Sequence, residues 1–152
     1  MSNKISAVNL DTCYQVSPSE PFIFVIRRDE TVVESLIKCA EIVKFSSAFI
    51  TGIGAVTNPT IAYYHVNIQK YAHKKFRGFF ELTNLTGNIT QQDGKYLVHA
   101  HVTLSKPRYN TIGGHLLNAT SGMVVEVSVQ PLPHIVFRKL NPQIKLAPII
   151  FS

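Results

Sequence analysis

The apolar positions divide the chain into one stretch of helical period and a longer stretch of strand-like runs. Phe22-Ile23-Phe24-Val25-Ile26 is β-branched and aromatic, with Pro21 before it and Arg27-Arg28-Asp29 after it, which predicts a buried strand. Over 32–44 the period changes. Val33, Leu36, Ile37, Ala40 and Val43 form one apolar stripe, and Glu34, Lys38 and Glu41 take the wet face of a helix. Thr31 with Glu34 three residues on predicts a capping box at its start. Strand signals follow at 47–56, 61–66, 79–82, 85–90, 96–104 and 123–129. Gly52 and Gly54 interrupt the first of these and predict a bulge or a close backbone approach. Asp93-Gly94 predicts a hairpin turn, and 107–114 reads as a loop. Strand and helix followed by strands alone predict an α+β fold: one domain over 1–152, a mainly antiparallel β-sheet with a few helices packed on it. Pro131, Pro133, Pro142 and Pro148 predict an irregular C-terminal extension, 131–152.

Composition adds two constraints. Of 152 residues 45% are hydrophobic and 16% charged, with mean hydropathy +0.12. So apolar a chain can offset the entropy of ordering, which excludes disorder. Its charge lies below the roughly 25% of ordinary domains, which predicts surface covered by self-association. No run reaches the roughly 18 apolar residues of a membrane span, and 1–6 lack the apolar core of a signal peptide. The expectation is a cytoplasmic protein with no membrane partner. Cys13 and Cys39 are too few for a disulfide framework and read as buried thiols.

The net charge of +6 is unevenly spread. Residues 1–42 hold four basic against six acidic residues, and 43–152 hold eleven basic against only Glu81, Asp93 and Glu126. The densest basic segment, 70–77, reads first as a solvated loop. Lys70, Lys74, Lys75 and Arg77 are its candidate contacts to DNA or another anionic partner.

Alternation puts His99 and His101 on one face of a strand and Val98, Ala100, Val102 and Leu104 on the other. A third histidine follows in Gly113-Gly114-His115, where paired glycines permit close approach. Three neutral imidazoles suit Zn²⁺ or a similar divalent metal and leave a fourth position free. The spacing equally fits an ordinary hydrogen-bonded pair with an unrelated third residue. Glu81 and Glu126, each among apolar neighbours, are candidates to hydrogen-bond a metal-bound imidazole, or to pair with an arginine. His65, His73 and His134 read as surface residues. No nucleophile elbow, His-Glu-x-x-His, Cys-x-x-Cys, phosphate loop or dinucleotide fingerprint occurs.

The ordered set Gly52-Ile53-Gly54-Ala55-Val56, Phe80-Glu81-Leu82, Leu85-Thr86-Gly87-Asn88-Ile89, Asp93-Gly94, His99-Ala100-His101, Gly113-Gly114-His115-Leu116 and Glu126 resembles the plants-and-prokaryotes-conserved (PPC) domain. The resemblance runs over about 22–130. It implies an α+β homotrimer with a histidine-bound zinc-type site, which maps onto His99, His101 and His115. It also implies a stand-alone prokaryotic-type member, related to the domain of plant AT-hook nuclear proteins, with no settled activity. The chain contains no Arg-Gly-Arg-Pro AT-hook, and Phe79 stands where the plant element carries Arg. Three functions follow as expectations: a homotrimeric metal-bearing binding or regulatory module, a metal-dependent hydrolase or lyase using the same site, and a DNA-associated protein.

Overall fold

The structure is a computed structural model that describes residues 6–150. Its elements in chain order are β1 (Ala7–Val8), β2 (Phe22–Arg27), α1 (Val32–Val43), β3 (Ser47–His65), β4 (Lys70–Lys75), β5 (Phe79–Gln92), β6 (Lys95–Ser105) and β7 (Thr111–Leu132). A single 3-10 turn, Cys13–Gln15, precedes β2. The fold is α+β and mostly strand. β1 runs parallel to β2 and every other strand pair is antiparallel, so the sheet is mixed. One α-helix packs on it among the described residues, where a few had been expected. No helix among them is long and apolar enough to cross a membrane.

Several strands are longer than the residue pattern indicates, and bulges are the reason. In β5 the buried positions are Phe80 and Leu82, then Leu85 and Ile89, so the alternation changes phase. Pairing with β6 shifts between Leu82 and Asn84, and the extra residue turns the second set back toward the core. The segments 79–82 and 85–90 are therefore one strand. In β3 the register slips between Gly52 and Gly54, and further shifts against β7 at Thr57/Thr60 and Thr60/Ile61 carry one strand through from Ser47 to His65. A Cβ on Gly54, whose φ is +148°, would lie 2.3 Å from the Val124 carbonyl oxygen, so only glycine permits this approach. The expected loop at 107–114 ends early, because Thr111 already belongs to β7.

β7 pairs with β2, β6 and β3, and β3 also pairs with β5. The cycle β3–β5–β6–β7 closes the sheet on itself, which removes most free edges. Phe24, Ile26, Leu36, Ile50, Leu85, Ile89, Leu104, Val125 and Val127 belong to one continuous core cluster shared by the sheet and the helix. The buried stripe of α1 is Val32, Leu36, Cys39, Ala40 and Val43, with Val33 and Ile37 half-buried at its edge. The expected capping box is absent, since Thr31 makes no side-chain cap hydrogen bond. Thr31 instead forms a bridge with Thr120 on β7, and backbone bonds from the Asp29 amide and to the Glu30 carbonyl tie the entry of the helix to Ser121.

Gly87 sets how closely β5 and β6 approach behind His99. A Cβ there would meet the His99 carbonyl oxygen at 2.1 Å and Ala100 Cα at 2.6 Å, both of them backbone. Gly87→Ala is expected to destabilise the protein by about 3 kcal/mol, because a ladder cannot move aside as a side chain can. Urea midpoints check this, and a change under ~0.5 kcal/mol would contradict it.

Candidate metal centre

His99 and His101 stand two residues apart on β6, and His115 on β7 is paired with His101. The ring centroids are 5.5 Å apart for His99–His101, 5.0 Å for His99–His115 and 5.6 Å for His101–His115. Each imidazole offers a nitrogen within 4.8 Å of the other two. The core face of β6 follows the pattern at three of its four positions, with Val98 only half-buried. Ala100, Val102 and Leu104 are buried behind the histidines.

Burial pushes the His99 imidazolium equilibrium down to about 4, with the Arg138 charge and then the other two imidazoles adding to it. His115 is also lowered, first by burial, then by His101 and Arg138. At neutral pH both rings are uncharged, the state a metal ligand needs. Nδ1 of His115 is buried and has no hydrogen-bond partner. An orphaned nitrogen beside two other imidazoles is satisfied by a shared cation, so the donor set fits a tetrahedral divalent ion such as Zn²⁺. Bound there, such an ion would act as a Lewis acid.

The depressed value of His99 has a stability consequence in metal-free protein. The unfolded chain takes up the proton near pH 6.5 and the folded chain only near 4, so acid favours unfolding across that window. Unfolding stability of chelated protein is expected to be flat above pH 6.5 and to fall between pH 6.5 and 4. His99→Gln should flatten the decline, and an unchanged slope would refute the assignment.

One partner has no local sequence signal. Arg138, 39 residues beyond His99, places Nη2 3.0 Å from His99 Nδ1 and 2.9 Å from Asn88 Oδ1. Its Nε donates to Thr90 Oγ1 and its Nη1 to the Ala147 carbonyl. A guanidinium only donates, so His99 Nδ1 accepts and, in the metal-free chain, the proton of this neutral ring sits on Nε2, where a bound metal would replace it. Tyr71 is the other addition, its ring 5.4 Å from that of His115. Tyr71 belongs to β4, where the sequence suggested a solvated loop. Residues 70–75 are a strand instead, because they pair from Lys70↔His65 to Lys75↔Thr60 along the edge of β3.

The other sequence candidates lie apart from the cluster. Glu81 is exposed on β5 opposite Ala55 and Ser105. Ser105 is four residues from His101 on β6, or roughly 13 Å along a strand. Glu126 is exposed on β7 and lines a separate depression with Ile23, Thr51, Ile53 and Ser128. Lys70, Lys74, Lys75 and Arg77 are all exposed. Alternation along β4 turns Lys75 to the same side as Tyr71 and Lys70 and Lys74 to the other. His65, His73 and His134 are surface residues.

A mostly antiparallel sheet closed on itself, carrying one helix and three clustered imidazoles at the β6–β7 seam, defines a class of small α+β proteins. Residues 14–133 match the Plants and Prokaryotes Conserved (PCC) domain, and the chain belongs to that family. A PPC protein from Pyrococcus horikoshii is 26% identical, with 88% of this chain and 92% of that one covered and a TM-score of 0.81. A protein from Bacteroides thetaiotaomicron, called a putative DNA-binding protein, is 29% identical, with 87% and 92% covered and a TM-score of 0.84. A metal-containing protein from Archaeoglobus fulgidus is 28% identical, with 87% and 94% covered and a TM-score of 0.81. No curated protein matches the chain in sequence.

Proposed function

We propose that the protein is a homotrimeric binding module that holds one divalent metal per chain, zinc by its ligand type, through His99, His101 and His115. The observation that carries this is the triangle of imidazole nitrogens within 4.8 Å, with an orphaned nitrogen on His115. The metal-containing relative from Archaeoglobus fulgidus supports it. The exposed apolar residues Phe49, Ile53, Phe79 and Met123, on three strands of the sheet, support subunit contact. Elemental analysis and light scattering test both parts. Expected are about one zinc per chain and a mass three times 17.0 kDa. Protein that retains no metal after zinc loading and desalting refutes the first, and a monomeric mass refutes the second.

A binding role is favoured over hydrolysis or lyase chemistry because, among the described residues, no Asp or Glu lines the pocket that the cluster faces. Metal-assisted hydrolysis ordinarily needs such a base. DNA is the second reading, supported by the relative from Bacteroides thetaiotaomicron and by the exposed basic strand β4. Duplex binding should then weaken steeply between about 50 and 200 mM salt. No binding at the lower salt would end that reading.

A further inference from the structure

The C-terminal segment that supplies Arg138 also builds a roof. Residues 138–149 lie beside the histidine cluster and line one side of an open pocket of about 750 Å³. They are pinned from several sides. The Val136 amide donates to the buried Ser47 Oγ at 2.7 Å, Arg138 bridges Ile149, and Tyr64 Oη donates to the Ile144 carbonyl. The walls are apolar: Leu97, Val98, Leu140, Ile144, Leu146 and Ile149. Into this surface project two cations, Arg138 within and Lys145 at the exposed rim.

Arg138 spends four of its five N–H groups on Thr90, Ala147, Asn88 and His99, all of them neutral acceptors. No carboxylate among the described residues pairs with it. A half-buried guanidinium with no carboxylate partner among the described residues, sharing an apolar pocket with a second cation, is matched by an anion with an apolar body. A singly charged carboxylate fits better than phosphate, because the pocket offers two cations and little else to replace the hydration of a dianion.

We propose that this pocket binds a small organic carboxylate with a branched or linear apolar chain, its charge met by Arg138 and Lys145. The site lies beyond the metal reading and does not require it, since both cations and the walls belong to the chain itself. The matched family region ends at residue 133, so the residues of the roof lie outside it.

The test is titration of the full chain, zinc-loaded and chelated, with 4-methylpentanoate, 4-methylpentanamide, acetate and inorganic phosphate. The acid is expected to bind at least ~10-fold more tightly than the amide, which keeps the shape and loses the charge, and more tightly than acetate or phosphate. Lys145→Gln, outside the Arg138 network, should weaken the acid several-fold, and Arg138→Gln more than ~10-fold. Equal affinity for acid and amide would overturn the assignment. So would phosphate binding more tightly than the acid, both variants binding like wild type, or no binding in either metal state. Absence of zinc with retained carboxylate selectivity removes the metal reading alone.

Discussion

Replacing His115 with alanine is expected to lower zinc affinity by more than ~100-fold and to leave purified protein essentially metal-free. Loss of a ligand exceeds the 10–100-fold that even an indirect partner of a metal site contributes. His115 is the decisive position because it is half-buried, touches Tyr71 and the other two imidazoles, and holds the orphaned nitrogen. In the metal-free chain that nitrogen is an unmet polar group, a penalty of about 1–3 kcal/mol. Its removal therefore offsets part of the packing lost with the ring. The signature is specific: the chelated variant should melt close to chelated wild type, while zinc at about 1,000 times its wild-type Kd stabilises wild type by ~4 kcal/mol and the variant by no more than ~1.4 kcal/mol. Equal zinc stabilisation of both proteins would remove His115 from the site.

Arg138→Gln is expected to act in the opposite direction and raise zinc affinity about tenfold. A metal-bound imidazole ordinarily gives its second N–H to an acceptor, which fixes the ring and strengthens the ligand. Here the group facing His99 Nδ1 is a donor that carries a positive charge. At about 6 Å and an effective dielectric of 20, each unit of metal charge meets roughly 3 kcal/mol of repulsion from it, before solvent screening. Glutamine removes the charge and offers a carbonyl oxygen to the ring. Arg138→Lys keeps the charge and should leave affinity low, so the pair of variants separates electrostatics from shape. Competition with a chromophoric chelator reads both, and a weaker Arg138→Gln site would refute the argument. The same change should loosen the C-terminal roof, because the contacts to Thr90, Ala147 and Asn88 end with the guanidinium.

The sequence made the helix, the core face of β6 and the shared side of His99 and His101 legible because each is written in a local period. Alternation from Val98 to Leu104 fixes which side His99 and His101 take, whatever the rest of the chain does. What it hid is non-local. The bulge between Leu82 and Asn84 looks like a strand break, since a phase change and a chain end give the same pattern. The edge strand β4 shows no alternation, because all six of its residues are exposed and none is sorted by a core. Arg138 sits in a proline-rich extension whose docking depends on contacts such as that of the Val136 amide with Ser47, 89 residues earlier in sequence. Prolines announce irregular backbone and say nothing of where it lands.

The last strand has a kinetic consequence. β7 supplies 22 residues and is the shared neighbour of three other strands, so no ring exists until it emerges from synthesis. Nascent chains shorter than about 132 residues leave β3 and β6 with open edges, the condition under which unfinished β-proteins stick to one another. Maturation is therefore slow and late, and the imidazole triangle, split between β6 and β7, is a marker that closure has been completed.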